Sequence, residues 1–383
     1  MEWYQLIIGI LVGLCLLVII VTIHELGHAI MARRNKVIVE EFGVGFPPRA
    51  KILGKYKGTL VTLNWLPIGG FCKMKDEFDS AKSKGSYGSV SFWPKTQILL
   101  AGVAANFLLA VVIFTTLAIF GMPKVFDGQW TMPNDTTTVT SPVKVAAPVA
   151  DDSPAGQIGL KQDDEIISLA GQKLTDTTEL PKITEQNRGQ TVPIEYRRDG
   201  QTIQTEVALR EKSDNGYLGV SAGQSEFYRS TWSAPIVGVV NAGQFAWWTL
   251  EGLGQILANL GSGIAGSFSA DSATREAASA DLSKAGDGVS GPVGILGVIF
   301  PNAVMAGATQ LLFISGLISL ALAVMNLLPI PGLDGGRWVL TIIFKLIKKP
   351  LTEDLEAKIN GVGMMILFGL IILISVIDIM KIW

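Results

Sequence analysis

Apolar residues dominate the chain for roughly the thickness of a bilayer in four places, residues 5–30, 97–121, 308–330 and 357–380. About 20 apolar residues in helical conformation cross a hydrocarbon core, so the pattern predicts four transmembrane helices. The first stretch is read as a retained helix and not as a secretory signal. Only Glu2 precedes it, no basic residue does, and its apolar run continues into His24 without a small-residue cleavage site. A fifth stretch, 234–260, is apolar but carries Asn241, Gln244, Glu251 and Gln255 and several glycines. It is read as an interfacial amphipathic helix with Trp247 and Trp248 at headgroup level.

Charge sets the expected orientation. Residues 31–95 hold twelve Lys/Arg against five Asp/Glu, and Arg337, Lys345, Lys348 and Lys349 lie between the third and fourth spans. The positive-inside rule makes both connections cytoplasmic, which leaves both termini and residues 122–307 outside. Within the outer part, "TVPIEYRR" and "QTIQTEVALR" flank the turn pair Asp199-Gly200, a hairpin pattern in a small α+β domain with its core at 139–211. The Gly/Ser/Ala-rich stretch 261–290 reads as a flexible connector.

The expected organisation is a first membrane part (1–121), an extracytoplasmic domain (122–211), an extracytoplasmic or interfacial segment (212–307) and a second membrane part (308–383). The fold class is an α-helical integral membrane protein with an inserted α+β domain. Composition agrees: 49% of the 383 residues are hydrophobic, 17% are charged, and mean hydropathy is +0.40. A net charge of −2 with no basic tract gives no reason to expect nucleic acid. Cys15 and Cys72 form neither a disulfide framework nor a metal knuckle by spacing.

The chemistry concentrates in "VIIVTIHELGHAIMARR", residues 18–34, where His24, Glu25 and His28 end the first apolar run. Ionisable groups in a span are costly, by at least about 2.5–3.5 kcal/mol near mid-bilayer, so they signal function. His24 and His28 lie one turn apart on one helical face, a spacing that lets two imidazoles meet one Zn²⁺ while Glu25 reaches its water. The bland alternative is a satisfied polar pair capping the helix. These are the chain's only two histidines. A catalytic zinc takes three protein ligands and keeps a position open, so the third must be Asp, Glu or Cys. Asp334 in "NLLPIPGLDGGRW" is the candidate, since Pro329, Pro331, Gly332, Gly335 and Gly336 break the helix around it. An ordinary Asp-Gly turn is its bland alternative. Spans one and three both run from outside to inside, so the three side chains meet at one level, roughly 7–14 Å below the cytoplasmic surface at about 1.5 Å per residue. A true fifth span at 234–260 would put Asp334 on the wrong side.

With these residues the chain resembles the site-2 protease family, the intramembrane zinc metalloproteases, in its bacterial form. Besides His24-Glu25-x-x-His28 and Leu333-Asp334-Gly335, the resemblance takes in Asn326, Gly43-x-Gly45-Phe46, Pro67-x-Gly69-Gly70-Phe71, Gly102 with Asn106-Phe107, and Gly291-Pro292-Val293-Gly294-Ile295. Ser153-Pro154-Ala155-Gly156, Gly159-Leu160 and Asp164-Glu165-Ile166-Ile167 resemble the opening of a circularly permuted bacterial PDZ domain, of which the chain has room for one.

The resemblance implies one Zn²⁺ per chain on His24, His28 and Asp334, with Glu25 as catalytic base. It implies a membrane-reentrant β-hairpin and substrate contacts at Asn326, Gly43, Gly45, Phe46, Gly69 and Gly70, although for Asn326 capping of a broken helix is an equal reading. The implied partners are single-span membrane proteins, either anti-sigma factor stubs or remnant signal peptides, in the bilayer of the bacterial cell membrane. Strand-like runs 37–46 and 58–65 are expected to offer an edge to an extended substrate. The rival readings are a silent membrane scaffold presenting a PDZ domain, and a transporter, which would show internal repeats that this chain lacks.

Overall fold

Thirty-two residues, Trp3–Arg34, form one continuous helix, α1, which ends on Arg33 and Arg34, favourable charges for a helix C-terminus. The computed structural model describes residues 3–212, 216–269, 271–288 and 290–382, so Glu2 and the expected placement of both chain ends lie outside the described residues. After α1 come β1 (Val39–Tyr56), β2 (Thr59–Met74), α2 (Phe92–Leu99) and α3 (Ala101–Phe120). Short elements follow: β3 (Met122–Pro123), β4 (Thr137–Thr140), β5 (Lys144–Val145), α4 (Pro154–Gln157), β6 (Glu165–Leu169), β7 (Gln172–Lys173), α5 (Glu179–Gln186), β8 (Thr191–Arg198), β9 (Gln201–Ala208), β10 (Ala222–Gly223) and β11 (Glu226–Arg229). The chain then becomes helical: α6 (Ala234–Ser267), α7 (Ser272–Asp287), and α8 (Pro292–Gly294), which runs through a π-helical turn, Ile295–Ile299, into α9 (Phe300–Ala306). Last are α10 (Ala308–Leu327), α11 (Asp334–Leu346) and α12 (Glu353–Ile382).

Four of these helices, α1, α3, α10 and α12, are long and apolar enough to cross a membrane. Close approach, with little side chain between backbones, packs them. A Cβ on Gly9 or Gly13 of α1 would strike Pro301 or Phe300 of α9, one on Gly27 would strike the Ala101 carbonyl of α3, and one on Gly316 of α10 would strike Phe114 of α3. Helix α6 is longer than the expected 234–260 and is not a lone surface helix. Val237, Gly238, Asn241, Ala242 and Phe245 are buried, with Gly238 against Thr115 of α3 and the Phe245 ring meeting Phe114 at a tilt and Phe313 edge-on.

The expected connector at 261–290 is also corrected. Its described residues form the end of α6 and all of α7, because Ala-rich sequence favours helix and Asp271 caps α7 by accepting from the Thr274 N–H at 3.0 Å. Gly263 and Gly266 let Ala278 and Leu282 approach α6 closely.

Strands β1 and β2 are each bent and pair twice. Residues 39–44 pair with 70–74 on one side, 41–44 pair with 60–63 on the other, and 49–56 pair with 59–64. The bends fall at Pro47-Pro48 and beside Gly69, whose φ is +91°. The sheet order is therefore 70–74, 39–46, 59–66, 49–56. This corrects the expectation that 37–46 and 58–65 offer an edge, since both are interior strands. The edges are 49–56 and 70–74.

Residues 119–231 form a separate compact unit from residues 1–118 and 232–383. Its sheet runs β10-β5-β6-β8-β9, with β7 beside β6. The β8–β9 hairpin turns on Asp199 (φ +50°) and Gly200 (φ +80°), as the turn pair predicts. Alternate residues Val192, Ile194 and Tyr196 of β8 are buried with Ile166, Leu169 and Val207. The unit continues past residue 211, the boundary expected from sequence, because Leu218 completes this core and β10 pairs with β5.

Candidate metal centre

Helical spacing puts His24 and His28 on the buried face of α1, where they are 7% and 6% exposed. His28 Nδ1 lies 2.8 Å from the Ile98 carbonyl and donates to it, which leaves the Nε2 lone pair facing the other two side chains. The third arrives from far along the chain. Helix α10 stops at Leu327, Leu328 is extended, and Pro329, Pro331 and Gly332 (φ +95°) turn the backbone so that α11 starts on Asp334. The turn is tight enough that a Cβ on Gly335 would lie 2.2 Å from the Leu327 carbonyl oxygen, and one on Gly336 would lie 2.0 Å from that of Ile330. The two glycines after Asp334 are therefore steric requirements of this turn.

Three ligand atoms converge. His24 Nε2 and His28 Nε2 are 3.1 Å apart, and Asp334 Oδ2 is 3.1 Å from the first and 3.2 Å from the second. Two atoms each about 2.0–2.1 Å from a tetrahedral ion stand roughly 3.3 Å apart, so the triangle has the size that zinc requires. No other group of three His, Cys, Asp or Glu among the described residues meets this way. Gly102 of α3 forms the floor: a Cβ there would lie 2.4 Å from His28 Nε2 and 2.6 Å from His24 Nε2. Gly102→Ala is expected to leave the helices intact, because the imidazole tips can swing aside, and to weaken zinc binding at least about tenfold. Zinc titration of the purified variant beside its circular dichroism spectrum checks this, and native affinity in the variant would contradict it.

Glu25 lies beside this triangle. A cavity of about 350 Å³ is shared by Glu25, His28, Asp334, Phe71, Cys72 and Arg337. The edge strand 70–74 thus borders the site, and Gly70 lies over the Glu25 stem, where a Cβ would be 3.6 Å from Cγ. The Met74 N–H donates to Glu77 Oε1 at 2.7 Å, so a backbone donor of this strand is held by a carboxylate.

The remaining expected contact residues divide. Gly43 pairs with Phe71 and lies under its ring, Gly45 has φ +80° against the Leu66 carbonyl, and Gly69 lies under the Phe46 ring, which is 45% exposed. These four shape the sheet, and of the expected contact residues only Gly70 lies next to Glu25. Asn326 is in the last turn of α10, where its amide donates to the Leu322 carbonyl at 3.0 Å.

A buried polar network is not foreseen from sequence. Arg337, one turn after Asp334, donates to the Glu77 carbonyl at 2.7 Å and lies 3.3 Å from Glu356 in the first turn of α12. Glu356 also accepts from the Asp79 N–H at 2.8 Å, and Asp79 pairs with Lys95 at 2.6 Å. The guanidinium and the ammonium stand 5.4 and 5.5 Å from the centre of the Tyr87 ring, whose phenol burial pushes above its ordinary range and keeps neutral. The network ties α2, α11, α12 and the segment after the edge strand together. Its one signal in the sequence is Arg337 following the Asp-Gly-Gly run.

Two buried histidines and a flanking glutamate on a helix fit to cross a membrane, met by an aspartate from the turn that follows a second such helix, make a metalloprotease-type centre. Known proteins agree with this. Residues 12–370 match the model of peptidase family M50, and the chain belongs to that family. It is 30% identical over 361 residues to a Clostridium perfringens protein named provisionally as a zinc metalloprotease, covering 94% of this chain and 95% of that one. A Clostridium acetobutylicum protein of the same provisional name is 29% identical over 384 residues, covering 99% and 98%. Among solved structures, the PDZ domain of an SdrC-like protein from Listeria monocytogenes is similar to 24% of this chain and 93% of its own length, at 23% identity and a TM-score of 0.19. The protein is a multi-pass membrane protein of a metalloprotease family.

Proposed function

We propose that this protein is a site-2-type intramembrane protease, which hydrolyses peptide bonds within the transmembrane segments of single-span proteins in the bacterial cell membrane. The observation that carries the reading is the triangle of His24, His28 and Asp334 with sides of 3.1–3.2 Å, beside Glu25, where the apolar helix α1 meets the turn that follows the apolar helix α10. These three residues would hold one zinc ion per chain, which when bound lowers the pKa of a water and polarises the scissile carbonyl. Glu25 takes the proton of the attacking water on its carboxylate and returns it to the leaving amine nitrogen. Gly70 of the edge strand packs against the stem of that carboxylate. By the charge pattern the site lies in the cytoplasmic half of the bilayer and both termini lie outside.

A substrate span arrives as a helix, and attack requires opening about a turn of it, with each freed backbone group costing several kcal/mol in hydrocarbon unless it is paired again. Strand 70–74 is the surface that re-pairs them, since it borders the cavity and bonds to β1 on one side only. Met74 offers its N–H to such a strand once the Glu77 carboxylate turns away. Helix breakers near the cut lower the cost of opening by about 1–3 kcal/mol per Gly or Pro relative to Ala. Reconstituted enzyme is therefore expected to cut a span with a central Gly-Gly pair roughly tenfold or more faster than its Leu-Leu counterpart. Equal rates would show that unwinding does not limit the reaction.

The unit at 119–231 is assigned the selection of trimmed substrates, anti-sigma factor stubs or remnant signal peptides. Within the unit the chain closes on itself at the Ser141 N–H, which donates to the Ser225 carbonyl at 2.8 Å, so residues 142–224, which hold the sheet of β5 to β10, can be excised and the ends rejoined. The excised enzyme is expected to cleave single-span proteins that still carry their ectodomain, as seen on immunoblots of membranes. Unchanged restriction to trimmed forms would remove the selecting role from this unit.

A further inference from the structure

A cavity of about 820 Å³ lies away from the metal centre, between the last two turns of α1 and the turn joining β1 to β2. It has two halves of different chemistry. Leu26 and Ile30, 46% and 55% exposed, line the end nearer the middle of α1 together with Val61. Arg33, Arg34, Lys36 and Lys57 line the other end, and among the described residues no Asp or Glu lines the cavity. From Leu26 to Arg33 the helix rises about 10 Å, so the boundary between the halves lies where an apolar span meets headgroups.

The basic half is built. Arg33 donates to the Tyr56 carbonyl at 2.8 Å and to Thr59 Oγ1 at 2.6 Å, and its guanidinium stands 5.1 Å from the centre of the Tyr56 ring. Lys57 stands 5.5 Å from the same centre, so one aromatic ring holds two cations together. Lys36 takes a left-handed backbone, φ +63°, at the end of α1. Among the described residues none of the four cations belongs to an ion pair. Four such charges around one hollow repel each other without an anion, and a lipid-facing apolar wall continuing from them is complementary to a chain attached to that anion.

We propose that this cavity binds one anionic phospholipid, with its phosphodiester held by Arg34, Lys36 and Lys57 beside the fixed Arg33, and an acyl chain lying along Leu26 and Ile30. The proposal rests on α1 being a membrane span, and it stands or falls independently of proteolysis. Anionic lipids are drawn to basic juxtamembrane residues. The lipid would pin the end of the helix that carries His24 and His28 against the β1–β2 turn.

The test uses the full chain purified in a neutral detergent and titrated with phosphatidylglycerol or phosphatidylcholine, with retained lipid counted by native mass spectrometry. Phosphatidylglycerol is expected to be retained over phosphatidylcholine. The variant R34Q/K36Q/K57Q is expected to lose that retention roughly tenfold or more, while keeping its circular dichroism spectrum. The variant K51Q/K82Q/K84Q, which removes as many exposed charges from the same connection but outside the cavity, is expected to retain the lipid as the native protein does. Equal loss in both variants, no loss in the first, or displacement of the lipid by excess inorganic phosphate would each overturn the proposal. The last would mark the cavity as a site for free phosphate.

Discussion

Glu25→Gln is expected to leave zinc bound and to remove cleavage by about 10²–10⁴-fold, the range of a positioned general base. The amide keeps the size of the carboxylate, so the local packing against Gly70 is unaltered. What it cannot do is take a proton from the attacking water. Metal content and turnover measured on the same preparation separate the two effects. Loss of zinc together with activity would make Glu25 a ligand and not the base, and retained activity would place the base elsewhere.

Asp334→Ala is expected to do both. It removes one of three converging ligand atoms and leaves His24 and His28 with no anionic partner, so zinc affinity should fall at least about 100-fold and cleavage should fall with it. The turn itself should survive, because its shape is set by Gly332, Gly335 and Gly336 and by the prolines, none of which the substitution touches. Unchanged zinc binding in this variant would mean that the third ligand lies elsewhere and that the role assigned to the start of α11 is wrong.

His24 and Asp334 lie 310 positions apart, yet both are legible in the amino-acid sequence. His24, Glu25 and His28 are readable because a helix converts spacing into a shared face, which needs nothing beyond local geometry. Asp334 is readable by a different route: with no further histidine the third ligand has to be an acid or a cysteine, and the run of Pro and Gly around it marks irregular backbone at the end of a span. The four spans are readable because length and apolarity alone define them.

What is not legible depends on register and long-range packing. Nothing in "VIVEEFGVGF" or "GTLVTLNW" says that each strand folds back to pair twice, so sequence alone assigns the edge to interior strands, while the strand that borders Glu25 is 70–74. Arg337, Glu356, Asp79 and Lys95 look like ordinary loop and helix-end charges in sequence, and only packing brings them into one buried network. The stretch 261–290 shows the limit of composition, since Gly, Ser and Ala suit a linker and also a close helix pair, and a cap at Asp271 with small residues facing α6 decides for the pair.

Hydrolysis inside the bilayer, at the His24, His28 and Asp334 centre, is the event on which the proposed function turns. It is seen most directly in the masses of the products formed when native protein and the Glu25→Gln variant are each reconstituted into liposomes with a single-span substrate. Two fragments are expected from the native protein alone, summing to the substrate plus one water, with the cut inside the apolar segment in its cytoplasmic half, and no fragments after zinc is chelated. Fragments ending outside the apolar segment, or the same fragments from the Glu25→Gln variant, would contradict it.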